Sequence, residues 1–169
     1  MTNLLNNLAT ISQKIGNQPE YVQGAGGNIS FKTDNNNMYI KATGLNLCDI
    51  QASQGICLVN FNKIAQFFKD NPLITEQDYI SILQTSTNVE FSPFKPSMET
   101  GFHAILGNAV IHTHSIYVNT FLCSIEGPSI IKSLFPKSEI IDFYIPGHEL
   151  TLGVLKKIDN PSSVYFLRN

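Results

Sequence analysis

Two histidines two positions apart, His112 and His114, close the run Ala109-Val110-Ile111-His112-Thr113-His114. Val110 and Ile111 are β-branched, so the run reads as a short buried strand. Side chains at i and i+2 of a strand share a face, which brings both imidazoles into one small volume. Two buried imidazoles each need a polar partner, and one divalent metal ion satisfies both. Upstream, Pro96-Ser97-Met98-Glu99 opens a helical stretch through Leu106, with Ser97 in the N-cap position. Glu99 then offers a carboxylate for acid/base work beside a metal, with its pKa raised by partial burial. His103, one turn further on, reads as a packed or hydrogen-bonded residue. His148, in Pro146-Gly147-His148-Glu149, is either a third ligand or a turn residue. Tyr117 and Tyr144 are candidate proton donors.

A second constellation is Gly24-Ala25-Gly26-Gly27-Asn28-Ile29-Ser30. Glycines let backbone approach a ligand and turn N–H groups toward an anion. Asn28 and Ser30 add neutral donors suited to phosphate oxygens. No Gly-Lys-Ser/Thr follows, so this is not a P-loop. A helix precedes it and a hairpin follows, which excludes a dinucleotide-binding fingerprint.

These residues need a scaffold. Leu4, Leu5, Leu8, Ile11 and Ile15 recur at helical spacing before Gly16, which predicts an amphipathic first helix. Residues 29–33 and 38–42 flank an Asx-rich tip and predict a β-hairpin, with Thr43-Gly44 as the next turn. Residues 56–59 read as a strand, and 61–69, 76–84 and 115–123 as helices. Beyond Gly127-Pro128 the pattern predicts a short helix, a strand over 140–144, a helix near 149–158 and a core strand, Val164–Leu167. Hairpin strands first and alternating elements later imply an α/β fold: one domain over residues 1–169, with a mixed, largely antiparallel central sheet flanked by helices.

The chain of 169 residues is 43% hydrophobic and 14% charged, with net charge -2. That balance makes no electrostatic case for nucleic acid or an anionic membrane as partner. Cys48, Cys57 and Cys123 lack a C-x-x-C spacing and fit a reducing cytoplasm. Residues 1–16 lack the pattern of a signal peptide, and no run approaches the length of a membrane span.

Taken in order, the G-G-N-x-S turn, the T-G turn after a hairpin, P-S-x-E-T before a helix with a histidine, and A-V-x-H-T-H resemble the class II aldolase/adducin family. The resemblance covers nearly the whole chain and extends to Tyr144-Ile145-Pro146-Gly147. It implies the family's α/β/α fold and a metal-dependent lyase of the fuculose- and rhamnulose-phosphate aldolase kind. It implies that His112 and His114 bind a divalent ion, most often zinc, and that Glu99 is the catalytic acid/base. It further implies that Gly27, Asn28, Thr43, Gly44 and Ser97 hold the phosphate of a small phosphorylated sugar. Met98 stands where the family often has a second serine.

The chemistry so implied is reversible cleavage of a phosphorylated ketose through an enediolate, in a symmetric homo-oligomer, typically a tetramer. On the same fold, the alternatives are a methylthioribulose-phosphate dehydratase, a pentulose-phosphate epimerase and a non-catalytic adducin-like assembly protein. In the family a strand like Val164–Leu167 leads into Asn-His-Gly, whose histidine is the third metal ligand. This sequence reaches Asn169 at that point, as expected of a chain truncated within the motif.

Overall fold

In the computed structural model, which describes residues 2–158 and 164–168, the apolar spacing near the N-terminus forms helix α1 (Thr2–Gly16). Leu5 and Leu8 are buried, whereas Ile11, expected on the same face, stays exposed. The predicted hairpin is β1 (Asn28–Lys32) and β2 (Asn37–Lys41), paired antiparallel. Asn36 takes the left-handed conformation that its tight tip requires. Strand β3 (Ile56–Asn60) pairs with β2, and β4 (Ala109–His112) pairs with β1, both antiparallel. The sheet order is β3-β2-β1-β4.

Alternation along the strands sends side chains to two cores. On one face Ile29, Tyr39, Ile56 and Leu58 pack with Leu5 and Leu8 of α1. On the other, Met38, Ile40, Cys57 and Val59 pack against α2 (Phe61–Asp70) and α3 (Glu76–Ser86). A sheet with helices on both faces is the stable answer to two apolar faces. The short helix α4 (Thr100–Ile105) lies on this second side. It is followed by β4, α5 (Ile116–Leu122), α6 (Gly127–Leu134), β5 (Glu139–Ile141), α7 (His148–Leu155) and β6 (Tyr165–Leu167). Strands β5 and β6 are parallel and form a separate two-stranded sheet, so the fold's mixed character resides there.

Three expectations need correction. The histidine strand is not buried: β4 has a partner on one side only among the described residues, and Ile111 is 54% exposed. The closing strand is not a core strand either; Phe166 is buried, while Tyr165 and Leu167 are half-buried. Ser97 is not the N-cap, because the helix begins later and Glu99 occupies the cap position. The Ser97 hydroxyl instead accepts from the Glu99 backbone N–H (3.2 Å), a turn that aims Glu99 before the helix starts.

A buried tyrosine anchors that helix start. Tyr79 of α3 donates from its hydroxyl to the Met98 carbonyl (2.6 Å) and accepts from the Gly101 N–H (2.9 Å). A Cβ at Gly101 would sit 2.4 Å from Thr151 Oγ1, so only glycine lets α4 approach α7 this closely. Tyr79→Phe would strand both backbone groups. The variant is expected to lose about 1–3 kcal/mol in urea unfolding with an unchanged m-value, and wild-type stability would contradict this account.

Candidate metal centre

The pairing of β1 with β4 sets Asn28 directly opposite His112. Strand β4 ends at His112, so His114 lies just beyond it. Its backbone N–H is tied to the Tyr21 carbonyl (2.8 Å), which keeps the ring on the histidine face. The two imidazole centroids are 4.9 Å apart. Glu99 reaches them from the start of α4, with Oε2 3.2 Å from His112 Nδ1 and Oε1 3.9 Å from His114 Nε2. The Asn28 side-chain amide donates to Glu99 Oε2 at 3.3 Å. One donor atom from each of Glu99, His112 and His114 fits within 4.8 Å of the others.

The chemistry of this donor set suits a divalent cation: two imidazoles and a carboxylate converge, with Glu99 and His112 largely buried and His114 40% exposed. His112 Nδ1 is buried and makes no directed hydrogen bond among the described residues, despite its closeness to Glu99. A buried ring nitrogen in that condition is what a shared metal would satisfy. His148 is not among these donors; its ring lies beside Tyr79, with centroids 6.5 Å apart.

The electrostatics reverse one sequence expectation. Burial pushes the Glu99 carboxyl up, but the imidazoles of His112 and His114, with His103 behind them, outweigh it and hold it well below the usual carboxylate range. Glu99 therefore stays ionised. The sign follows from the convergence of three imidazoles on one carboxylate, which only the folded chain shows.

The glycine turn approaches closely. Gly27 has a positive φ of 72°, and a Cβ there would stand 2.4 Å from Val22 Cγ1. A Cβ at Gly26 would meet His114 Nδ1 at 2.8 Å. The Thr43-Gly44 turn lies beside the segment leading to Ser97, joined by Thr43 N–H to the Lys95 carbonyl (3.0 Å). The structure thus brings Gly27, Asn28 and Ser97 close to Glu99 and the two histidines, with the Thr43-Gly44 turn joined to the neighbouring segment at Lys95, whereas His148 and Tyr117 lie elsewhere. It also adds one that sequence reasoning passed over, Lys41. This buried ammonium donates to the Ala25 carbonyl (3.2 Å) and the Leu45 carbonyl (2.7 Å), tying the two turns together. Burial lowers its pKa, and the nearby Glu99 charge counters that. Among the five lysines of the first half of the chain, its only sequence signal was its place two residues before the Thr-Gly turn.

Glu99, His112 and His114 open onto a cleft of about 770 Å³, whose walls include Val118 of α5, Leu150 of α7 and Phe166 of β6. Tyr117, 66% exposed, does not line it. Tyr144 packs against Gly153 and the Lys156 ammonium.

The sequence and the fold match a known family. Residues 6–169 fit the model of the class II aldolase and adducin N-terminal domain, and the chain belongs to that family. An L-fuculose phosphate aldolase of Methanococcus maripaludis is 30% identical over 122 residues, covering 72% of this chain and 54% of that protein. The chain thus spans about half the length of the curated relatives it matches. The N-terminal class II aldolase domain of a conserved protein from Thermoplasma acidophilum superposes with a TM-score of 0.83 at 24% identity, covering 95% of this chain and 78% of the other. A sugar-phosphate aldolase from Thermotoga maritima gives 0.57 at 15% identity over 90% and 76%. At these identities the structural likenesses concern the fold. Among the described residues no helix is long and apolar enough to cross a membrane.

His103 makes the stability of this region pH-dependent. Burial, reinforced by His112, pushes its pKa from the ordinary 6.5 down to about 3. Between those values the unfolded chain binds a proton that the folded one does not, so stability falls as pH drops from 6.5 toward 3. Below about pH 6 the loss should approach 1.4 kcal/mol per unit. Urea midpoints of the metal-free protein at pH 7 and pH 5 read this effect. His103→Gln should flatten the dependence, and an equal slope in that variant would refute the assignment.

Proposed function

We propose that this protein is a metal-dependent aldolase that reversibly cleaves a small phosphorylated ketose. The observation that carries the reading is the convergence of Glu99, His112 and His114 at the mouth of a cleft, beside two turns able to receive an anion. His112 and His114 would hold the divalent ion, zinc being the ion this nitrogen-rich set suits, with Glu99 beside it. When bound, the ion supplies Lewis acidity at a substrate carbonyl oxygen.

The chain's own groups supply the rest. Glu99 is ionised and reaches the site from a helix start held by Tyr79, so a carboxylate oxygen can take a proton from the carbon beside the carbonyl and return it in the reverse direction. The Asn28 amide orients that carboxylate. Backbone N–H groups at Gly27 and Gly44, both at positive φ, join the Asn28, Thr43 and Ser97 side chains around the substrate phosphate. The Lys41 charge beneath both turns favours a dianion there.

The reading predicts one bound Zn²⁺ or Co²⁺ per chain by calorimetry, lost in His112→Ala and weakened in His114→Ala. It predicts release of dihydroxyacetone phosphate from L-fuculose 1-phosphate or a related ketose phosphate. Glu99→Gln should lower turnover by about 10²–10⁴-fold while leaving the fold intact. A folded protein that takes up no divalent metal would sink the proposal.

Ile116, Tyr117 and Phe121 on α5 are exposed apolar side chains. They support a homo-oligomer, with the tetramer the expected form. Light scattering should give a multiple of the 18.8 kDa chain mass, and a monomer at micromolar concentration would count against this assembly.

A further inference from the structure

The face of β1 turned toward α4 is polar, while Ile29 is buried on the other face. Asn28, Ser30 and Lys32 alternate along the strand, all nine-tenths buried or more, and all point toward α4. Asn28 donates to Glu99, and Ser30 Oγ lies 2.7 Å from His103 Nδ1. The Lys32 ammonium donates to the Leu106 carbonyl at the helix C-cap and stacks 4.7 Å over the Phe61 ring. The three partners fall at the helix start, one turn on and the C-terminal end, spaced four and three residues apart on one helical stripe.

The spacings match because a strand advances about 3.4 Å per residue and a helix about 1.5 Å. Two strand residues advance about 6.8 Å, against about 6 Å for the four helical residues of the first step and about 4.5 Å for the three of the second, where the long Lys32 side chain spans the difference. We propose that Ser30, acting through His103, and Lys32, acting through the Leu106 carbonyl, are positioning residues that set the height of Glu99 against His112 and His114. The proposal rests on the metal-centre reading above, though the placement of Glu99 is open to measurement without metal.

Each contact is directional and dry. His103 is fully buried, and its Nε2 has no partner among the described residues, so Ser30 is the side chain that orients this ring. Burial lowers the Lys32 pKa to about 8, yet the ammonium remains where a carbonyl and a ring face can both reach it. A slide of α4 by one residue along β1 would break all three contacts together. The helix therefore has one register in which the stripe is satisfied, and in that register Glu99 meets the two imidazoles.

The test compares Ser30→Ala and Lys32→Met with Phe68→Leu, a core change in the apolar cluster around α2 and α3. Co²⁺ affinity, read from the visible spectrum of the loaded protein, should weaken about tenfold or more in the first two variants. It should stay at the wild-type value in Phe68→Leu, and Ser30→Thr and Lys32→Arg should recover it. In the metal-free protein, the Asn28 side-chain amide resonances report the bond to Glu99. They should shift in Ser30→Ala and Lys32→Met but not in the core variant. Wild-type affinity with unmoved Asn28 resonances would overturn the proposal, as would equal changes in Phe68→Leu. Should one stripe variant fail to fold, the other decides. A wild-type protein that binds no Co²⁺ refutes the metal reading, while the Asn28 resonances still judge the positioning.

Discussion

The register between β1 and β4 is the constraint on which the site depends. Asn28 stands opposite His112, and the backbone that follows in one strand and precedes in the other is fixed by the same ladder. A slip of one residue would send His112 to the opposite face and take Asn28 away from Glu99. Two features enforce the register at the site end. Gly27 is wedged between Val22 and the His112 carbonyl, with no room for a Cβ, and Gly26 passes the His114 ring just as closely. The glycines are thus the steric condition under which strand, loop and imidazoles share one volume, besides being candidate anion donors.

Around this junction the charges are distributed in an unusual way. Lys32 and Lys41 are buried ammoniums, and each is satisfied by backbone carbonyls rather than by a carboxylate. Glu99 is consequently left to interact with imidazoles and an amide, the groups a metal or substrate would engage. Had either lysine paired with Glu99, the carboxylate would have been neutralised by a partner with no role at the cleft. Desolvation alone would favour the protonated acid. The imidazole environment outweighs it, which keeps an ionised base in a largely dry site.

Much of this was legible in the sequence, and the limits are physical. Periods of 3.6 and 2 marked α1, the hairpin and the helices over 61–70 and 76–86, because those patterns record which face is buried. The i, i+2 histidines and the acid before a helix were visible as types and spacings. What failed were quantities set by distant neighbours. Whether β4 is central or at an edge depends on pairing outside the segment. Ser97 lost the cap because a tyrosine eighteen residues earlier holds the next turn of backbone. The polar alternation of β1 does not by itself say what covers that face, and only the seating of α4 shows that it is buried.

That buried polar face carries a stability argument. Apolar side chains at positions 30, 32 and 103 together would avoid desolvating a hydroxyl, an ammonium and an imidazole, and replacing a whole buried polar set in this way is often neutral or stabilising. Apolar contacts, however, tolerate sliding of a helix along a strand, whereas hydrogen bonds to fixed partners do not. Helix α4 has six residues, too few for its own propensity to hold it. Its place must come from outside, and the base it presents has to be held 3.2 Å from one imidazole and 3.9 Å from the other. A polar stripe satisfied at three points of the helix supplies that definition at both ends. Tyr79 secures the same helix start from the opposite side, so Glu99 is clamped between two independent sets of directional bonds.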